Sequence, residues 1–381
     1  GFPLIRDAPW ETSMGVAPLV NTRESVSISL RNDGVRALTL PFTRKWSTGQ
    51  TADPPARSRK AGTLQRELRD PRLVMRAKEK WIERFIFLNA ASSILIIILI
   101  FVFIGRESLP ILLDAATRQE ANLRLFFHTK HATVDGLEYV WQPVSEVPKY
   151  SFIPLLWGTM KATLVALLVS LPLSLAAAIY TAEFAPRKLR EIVKPVIELL
   201  AGIPSVVLGF FALMVLATWF QKCFHFETRL NAVVAGFALG LCVIPVVFTV
   251  LEDALTSVPD TYRHASLALG ATRWQVAAKV VFPAALPGVY AAIALGFGRA
   301  VGETMIVLLA SGNAAISSWN LTDPIRTLSA TIAAELGEVV WGSPHWNALF
   351  FAGVLLFAIT FFANLLGDIS VHRLRRKLSG G

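Results

Sequence analysis

The chain has 381 residues, 54% of them hydrophobic and only 17% charged, with a mean hydropathy of +0.52. A soluble domain carries about 25% charged residues, so the composition excludes an ordinary soluble protein and points to a polytopic membrane chain. The formal charge of +10 comes from 37 Lys and Arg against 27 Asp and Glu. Much of that excess flanks apolar runs, where basic residues set membrane orientation. A basic face interleaved with stacking aromatics, which a nucleic-acid partner needs, is not visible. Cys223 and Cys242 form neither a disulfide framework nor a metal-ligand spacing, and read as packing residues.

In chain order, residues 1–62 form a polar N-terminal extension, read either as disorder or as a small β piece. No signal peptide is expected in residues 1–20, which lack a basic start followed by an apolar core. Residues 63–84 predict a basic juxtamembrane helix broken near Pro71. A first transmembrane helix follows at 85–104, then an external loop at 105–152, a core at 153–367 and a basic cytoplasmic tail at 368–381. A span needs about 20 predominantly apolar residues, and six segments qualify: 85–104, 160–180, 197–220, 231–251, 285–310 and 347–367. The region before the first span, the alternate loops and the tail hold 21 Lys and Arg, against eight on the other side. That asymmetry predicts cytoplasmic N- and C-termini. Trp319, Trp341 and Trp346 in the last external connection read as interfacial anchors. Lys161 reads as a snorkelling lysine.

The cytoplasmic loop at 252–283 is too patterned for a plain connection. Pro259 and Asp260 signal a helix start, Gly270 supplies a left-handed stop, and a second helix is expected from Ala271 to Phe282, ended by Pro283. Two short helices meeting at a glycine predict a protruding knob.

This loop resembles the E-A-A, three residues, G, nine residues, I-x-L-P pattern of ABC importer membrane subunits. Gly270 is followed by nine residues and then by Val280, Val281, Phe282 and Pro283; His264, Ala265 and Ser266 fill the E-A-A slot. With "FIPLLWGTMKATL" (152–164), "ELLAGIPSVVLGFF" (198–211), "GRAVGETM" (298–305) and "TLSATIAAELGE" (327–338), the chain is similar, from about residue 81 to 378, to phosphate-specific ABC importer permeases of the PstC/PstA type, closer to PstC.

The resemblance implies an all-α polytopic protein with six transmembrane helices and the ABC importer type I permease fold, in a bacterial cytoplasmic (inner) membrane. It implies a coupling loop formed by Arg263, His264, Ala265, Ser266, Gly270, Ala271, Thr272, Arg273 and Trp274 that seats on an ATPase. The implied partners are a homologous PstA-like permease, an ATPase dimer and an extracytoplasmic phosphate-binding protein. The chain has no G-x-x-x-x-G-K-[ST] loop for ATP phosphates. It is therefore expected to be non-catalytic and to hold no cofactor, with ATP used by the partner subunit.

Within the expected fifth span, Arg299 and Glu303 are four residues apart, and on a helix they would share one face. A lone arginine at mid-bilayer costs about 2.5–3.5 kcal/mol on insertion scales, far more than an exposed helical pair returns. The two residues read either as lining a substrate path or as a structural ion pair. Gly202, Pro204 and Ser205 read either as a path-lining helix break or as a proline-led helix start. The expected function is a phosphate permease subunit. The alternatives are a permease for sulfate, molybdate or phosphonate, and an ATP-independent anion transporter or channel.

Overall fold

The computed structural model describes residues 71–127, 131–133 and 136–379. The readings for 1–62, and for the 63–70 part of the juxtamembrane helix, lie outside the described residues. The chain divides into two units, Gly1–Lys80 and Trp81–Gly381. Of the first, only the start of a helix, from Pro71, is described; that helix extends to Ser108.

Among the described residues, six helices are long and apolar enough to cross a bilayer: Glu79–Leu113, Ile153–Phe184, Ser205–Phe224, Ala232–Thr256, Arg273–Gly302 and Pro344–Arg373. They are numbered here as the first to sixth spans. The predicted count holds among the described residues, while boundaries move, most notably the start of the third span and both ends of the fifth. Residues 197–201, expected to open the third span, instead end a separate helix, Arg187–Ala201. That helix is amphipathic, with Arg187, Lys188, Arg190, Glu191 and Lys194 along its polar side. The fifth span begins at Arg273 because Pro283 does not stop the helix. Proline lacks an N–H and crowds the carbonyl one turn back. The wider π-helical turn at Ala277–Val281 absorbs that defect, and the helix continues from Phe282 to Gly302.

The fourth span lies at the centre of the larger unit. Its buried residues include Leu239, Val243, Val247, Phe248 and Leu251. Glycines let it approach the second span closely. A Cβ on Gly236 would lie 2.5 Å from that of Val165, and one on Gly240 would lie 3.1 Å from the Ala166 carbonyl. Small residues that bring backbones together are the usual basis of helix packing in membranes. The first span is different: Ile94 through Phe103 are exposed on this chain. It touches the sixth through Phe101 on Phe357, at 4.7 Å, and Phe103 on Phe350, at 5.5 Å.

At one end of the bundle, the knob end, Asp260–Ala268 forms a helix and Gly270 turns with φ +85°. Thr272 caps the next helix in a reciprocal box with Gln275. Also at this end, buried Glu252 accepts from Arg190 Nη2 at 2.6 Å and Lys194 Nζ at 3.0 Å. These bonds tie the 187–201 helix to the fourth span, and the Glu252 hydrogen bond raises the Lys194 pKa.

At the far end, the 105–152 segment carries two short antiparallel ladders. One pairs His131–Thr133 with Gly136–Glu138, the other Trp141–Gln142 with Lys149–Tyr150. The segment between the fifth and sixth spans contains the helix Leu328–Glu335 and lies hard against the second span. A Cβ on Gly158 would fall 2.2 Å from the Arg326 carbonyl. Lys161, expected to reach lipid headgroups, is instead buried, and its Nζ donates to the Asn320 carbonyl at 2.8 Å. The reason is packing: the 311–346 segment folds over the second span and covers this side chain. Trp319 and Trp341 remain exposed, whereas Trp346 Nε1 donates to Glu107 at 2.9 Å.

Glu335 organises the far end. Its carboxylate receives Arg326 Nη2 at 2.5 Å and Trp141 Nε1 at 3.1 Å, and lies 2.9 Å from His345 Nε2. Tyr150 stacks edge-on against Trp141. Burial, reinforced by Glu120 and Glu335, pushes its phenol up to about 12. A phenol whose folded pKa is raised adds stability that is complete below its unfolded pKa near 10 and is lost as pH rises through the folded value. Thermal melting in detergent should therefore show a falling limb between about pH 10 and 12 that Tyr150→Phe flattens. An unchanged limb in the variant would refute the assignment.

Candidate functional site

The fifth span ends earlier than hydropathy suggests. Glu303 leaves the helix with φ −70° and ψ 133°, and a second short helix, Met305–Ala310, starts after Thr304. Arg299 and Glu303 therefore do not share a helical face. Local bonds hold the break open: Glu303 Oε1 accepts from the Thr304 amide at 3.3 Å, and Thr304 Oγ1 donates to the Gly302 carbonyl at 3.3 Å. From the far-end helix, the buried Ser329 hydroxyl donates to the Glu303 carbonyl at 2.8 Å. A break at membrane depth frees backbone carbonyls that need such partners. A cavity of about 580 Å³ opens beside it, with Gly302, Thr304, Ser329 and Trp346 in its wall.

Arg299 lies three residues before the end of its own helix, not at its middle. Its guanidinium nevertheless sits at mid-depth, because Nη2 lies 3.3 Å from Cys242 Sγ on the fourth span. Cys242 is ten residues into Ala232–Thr256, about 15 Å from its start at 1.5 Å per residue. The same sulfur lies 4.0 Å from Glu303 Oε2. Of the two readings, the ion pair is not formed here, and the Cys242 sulfur is near both side chains. Among the described residues, no carboxylate lies within 4.0 Å of Arg299. Of its five N–H donors one is used, by a weak thiol acceptor, and the residue is exposed on this chain. Among the described residues its other four donors have no acceptor, and a guanidinium fork in that state is chemically able to bind an anion. Cys242, read from sequence as a packing residue, is the member of the site that sequence reasoning missed; nothing local to it signals the role.

Gly202, Pro204 and Ser205 form the junction between the 187–201 helix and the third span. Gly202 is in ordinary right-handed backbone, Pro204 occupies the N-cap and Ser205 the first helical position. The helix they start packs on Met305–Ala310. Gly209 provides the close approach, for a Cβ there would lie 2.9 Å from Leu309 and 3.0 Å from the Met305 carbonyl.

In the knob, His264, Ala265, Gly270, Thr272, Arg273 and Trp274 are exposed, while Ser266 and Ala271 are half-buried. Tyr262, Leu267 and Leu269 add apolar surface around Gly270. Arg263 turns the other way. Its Nε and Nη2 grip Glu183 at 3.1 and 2.8 Å, and its remaining donors reach Asp260 and the Leu255 and Val258 carbonyls. Nothing of its fork is left for a partner.

Residues 170–378 match the family described as the binding-protein-dependent transport system inner membrane component. The chain belongs to this family. It is 36% identical over 226 residues to the probable ABC transporter permease protein YqgH of Bacillus subtilis, covering 59% of this chain and 73% of that protein. It is 35% identical over 240 residues to the phosphate transport system permease protein PstC of Mesorhizobium japonicum, covering 58% and 72%. The solved structure of a bacterial ABC transporter involved in the import of the acidic polysaccharide alginate aligns over 79% of this chain and 99% of its own, at 14% identity and a TM-score of 0.52. The permease thus has the type I ABC importer fold and is a multi-pass membrane subunit of a transport system.

Proposed function

We propose that this permease is one half of the membrane path of an ATP-driven inorganic phosphate importer. The observation that carries the reading is Arg299: a guanidinium at mid-depth, without a carboxylate partner among the described residues, beside a helix break that opens on a cavity. Relatives named as phosphate transport permeases supply the substrate. A planar fork with free donors suits phosphate oxygens. Glu303, which does not pair with Arg299 but shares the Cys242 contact, repels an anion that stays, so the site can release what it receives.

In this reading a homologous PstA-like permease completes the path, and an extracytoplasmic phosphate-binding protein delivers the anion. One subunit of an ATPase dimer grips the exposed knob around Gly270 from the cytoplasm. Both termini then lie in the cytoplasm of a bacterial inner membrane. The chain itself performs no covalent chemistry and needs no cofactor. Transport requires the anion contacts to differ between outward- and inward-open states, and the Glu303 break is the element that differs.

The test is ATP-dependent uptake of labelled phosphate by the reconstituted complex, challenged with excess sulfate. Phosphate uptake that sulfate leaves intact is expected. Equal competition would withdraw the substrate while keeping the permease, and uptake without the ATPase would withdraw the coupled mechanism.

A further inference from the structure

Two arginines of this chain are used in opposite ways. Among the described residues four donors of Arg299 have no acceptor, whereas all five donors of Arg263 are engaged. Its partners come from three elements. Glu183 belongs to the π-helical turn that ends the second span, the Leu255 carbonyl to the end of the fourth span, and Asp260 to the knob helix itself. The contact is largely enclosed, with side-chain exposures of 16% for Arg263 and 9% for Glu183. Next to Glu183, the Phe184 ring lies 6.2 Å from Trp274 of the knob.

The knob is continuous in the other direction too, since Arg273 begins the helix that ends beside Arg299. A displacement of the knob therefore reaches Arg299 along the fifth span. It reaches Cys242, the opposing wall of the site, only if the fourth span is carried along. We propose that Arg263 is the positioning residue that locks the knob to the second and fourth spans, so that both walls of the anion site answer to one movement. This rests on the reading that an ATPase grips the knob. The bidentate fork suits the task because it fixes direction as well as distance, which a lysine ammonium does not.

Removing one partner of an enclosed pair strands a charge and endangers the fold, so the test removes both. The complex with its partner permease, ATPase and binding protein is placed in lipid nanodiscs. ATP hydrolysis is read with and without phosphate-loaded binding protein. In the Glu183→Gln/Arg263→Gln variant, stimulation by the binding protein should fall to about one-fold, with basal hydrolysis and ATPase retention on size exclusion unchanged. The control replaces Arg187 and Glu191, an exposed pair on the 187–201 helix, by glutamines and should keep wild-type stimulation. Wild-type stimulation in the Glu183/Arg263 variant overturns the lock. So does loss of the ATPase from the complex, which would make the pair a mere support for docking, and so does equal loss in the control. Labelled-phosphate uptake by the wild-type complex is measured separately; stimulation without uptake overturns the substrate reading and leaves the lock intact.

Discussion

Arg299→Gln is expected to reduce ATP-dependent phosphate uptake at least about a hundredfold while the complex still assembles. The magnitude follows from the donors. A hydrogen bond to a charged group contributes about 1.5–3 kcal/mol, so two such bonds to phosphate are worth at least about 3 kcal/mol. At about 1.4 kcal/mol per factor of ten, that is about two decades. Assembly survives because no ion pair among the described residues is broken: the residue is exposed on this chain and its acceptor is a thiol, so no carboxylate among them is orphaned. Arg299→Lys keeps the charge and loses the fork, and should fall between the two. Labelled uptake into proteoliposomes, normalised to complex recovered by size exclusion, decides it. Wild-type uptake by Arg299→Gln would end the role assigned to this residue.

Gly270→Val is expected to abolish coupled transport by a different route. Gly270 holds φ +85°, and a Cβ there would meet nothing within 4 Å. The substitution therefore creates no clash, and its whole effect is conformational. A non-glycine residue in left-handed backbone costs about 1–2 kcal/mol, and a β-branched one is more strained still. The exposed turn relieves that strain by changing the angle between the Asp260–Ala268 helix and the start of the fifth span. The membrane bundle is untouched, so melting of the isolated permease should stay within a few degrees of wild type. ATPase co-purification and uptake should be lost together. A variant that retains its ATPase and transports normally would show that the knob is not the grip.

Both predictions draw on features of different legibility. The six spans could be read because a bilayer crossing is a local property, a matter of apolar length. The knob could be read for a similar reason: Pro259, Asp260 and Gly270 act on their own backbone and need no distant partner. The third and fifth spans were misplaced where that locality fails. Residues 197–201 look like the opening of a span but form the last turn of the amphipathic Arg187–Ala201 helix, and Pro283 looks like a stop until the π-helical turn at Ala277–Val281 accommodates it.

The site divides along the same line. The sequence singled out Arg299 and Glu303 because two charges inside an apolar run are too costly to be incidental. It could not show that Glu303 lies beyond the helix end, that Cys242 from 57 positions away stands between them, or that Arg263 faces inward to Glu183, 80 positions distant. Composition, spacing and caps specify where helices run and where they turn. Which polar side chain meets which, and which is left with donors to spare, depends on the faces that close packing brings together. In a medium that offers no water to unpaired groups, that choice belongs to the tertiary structure.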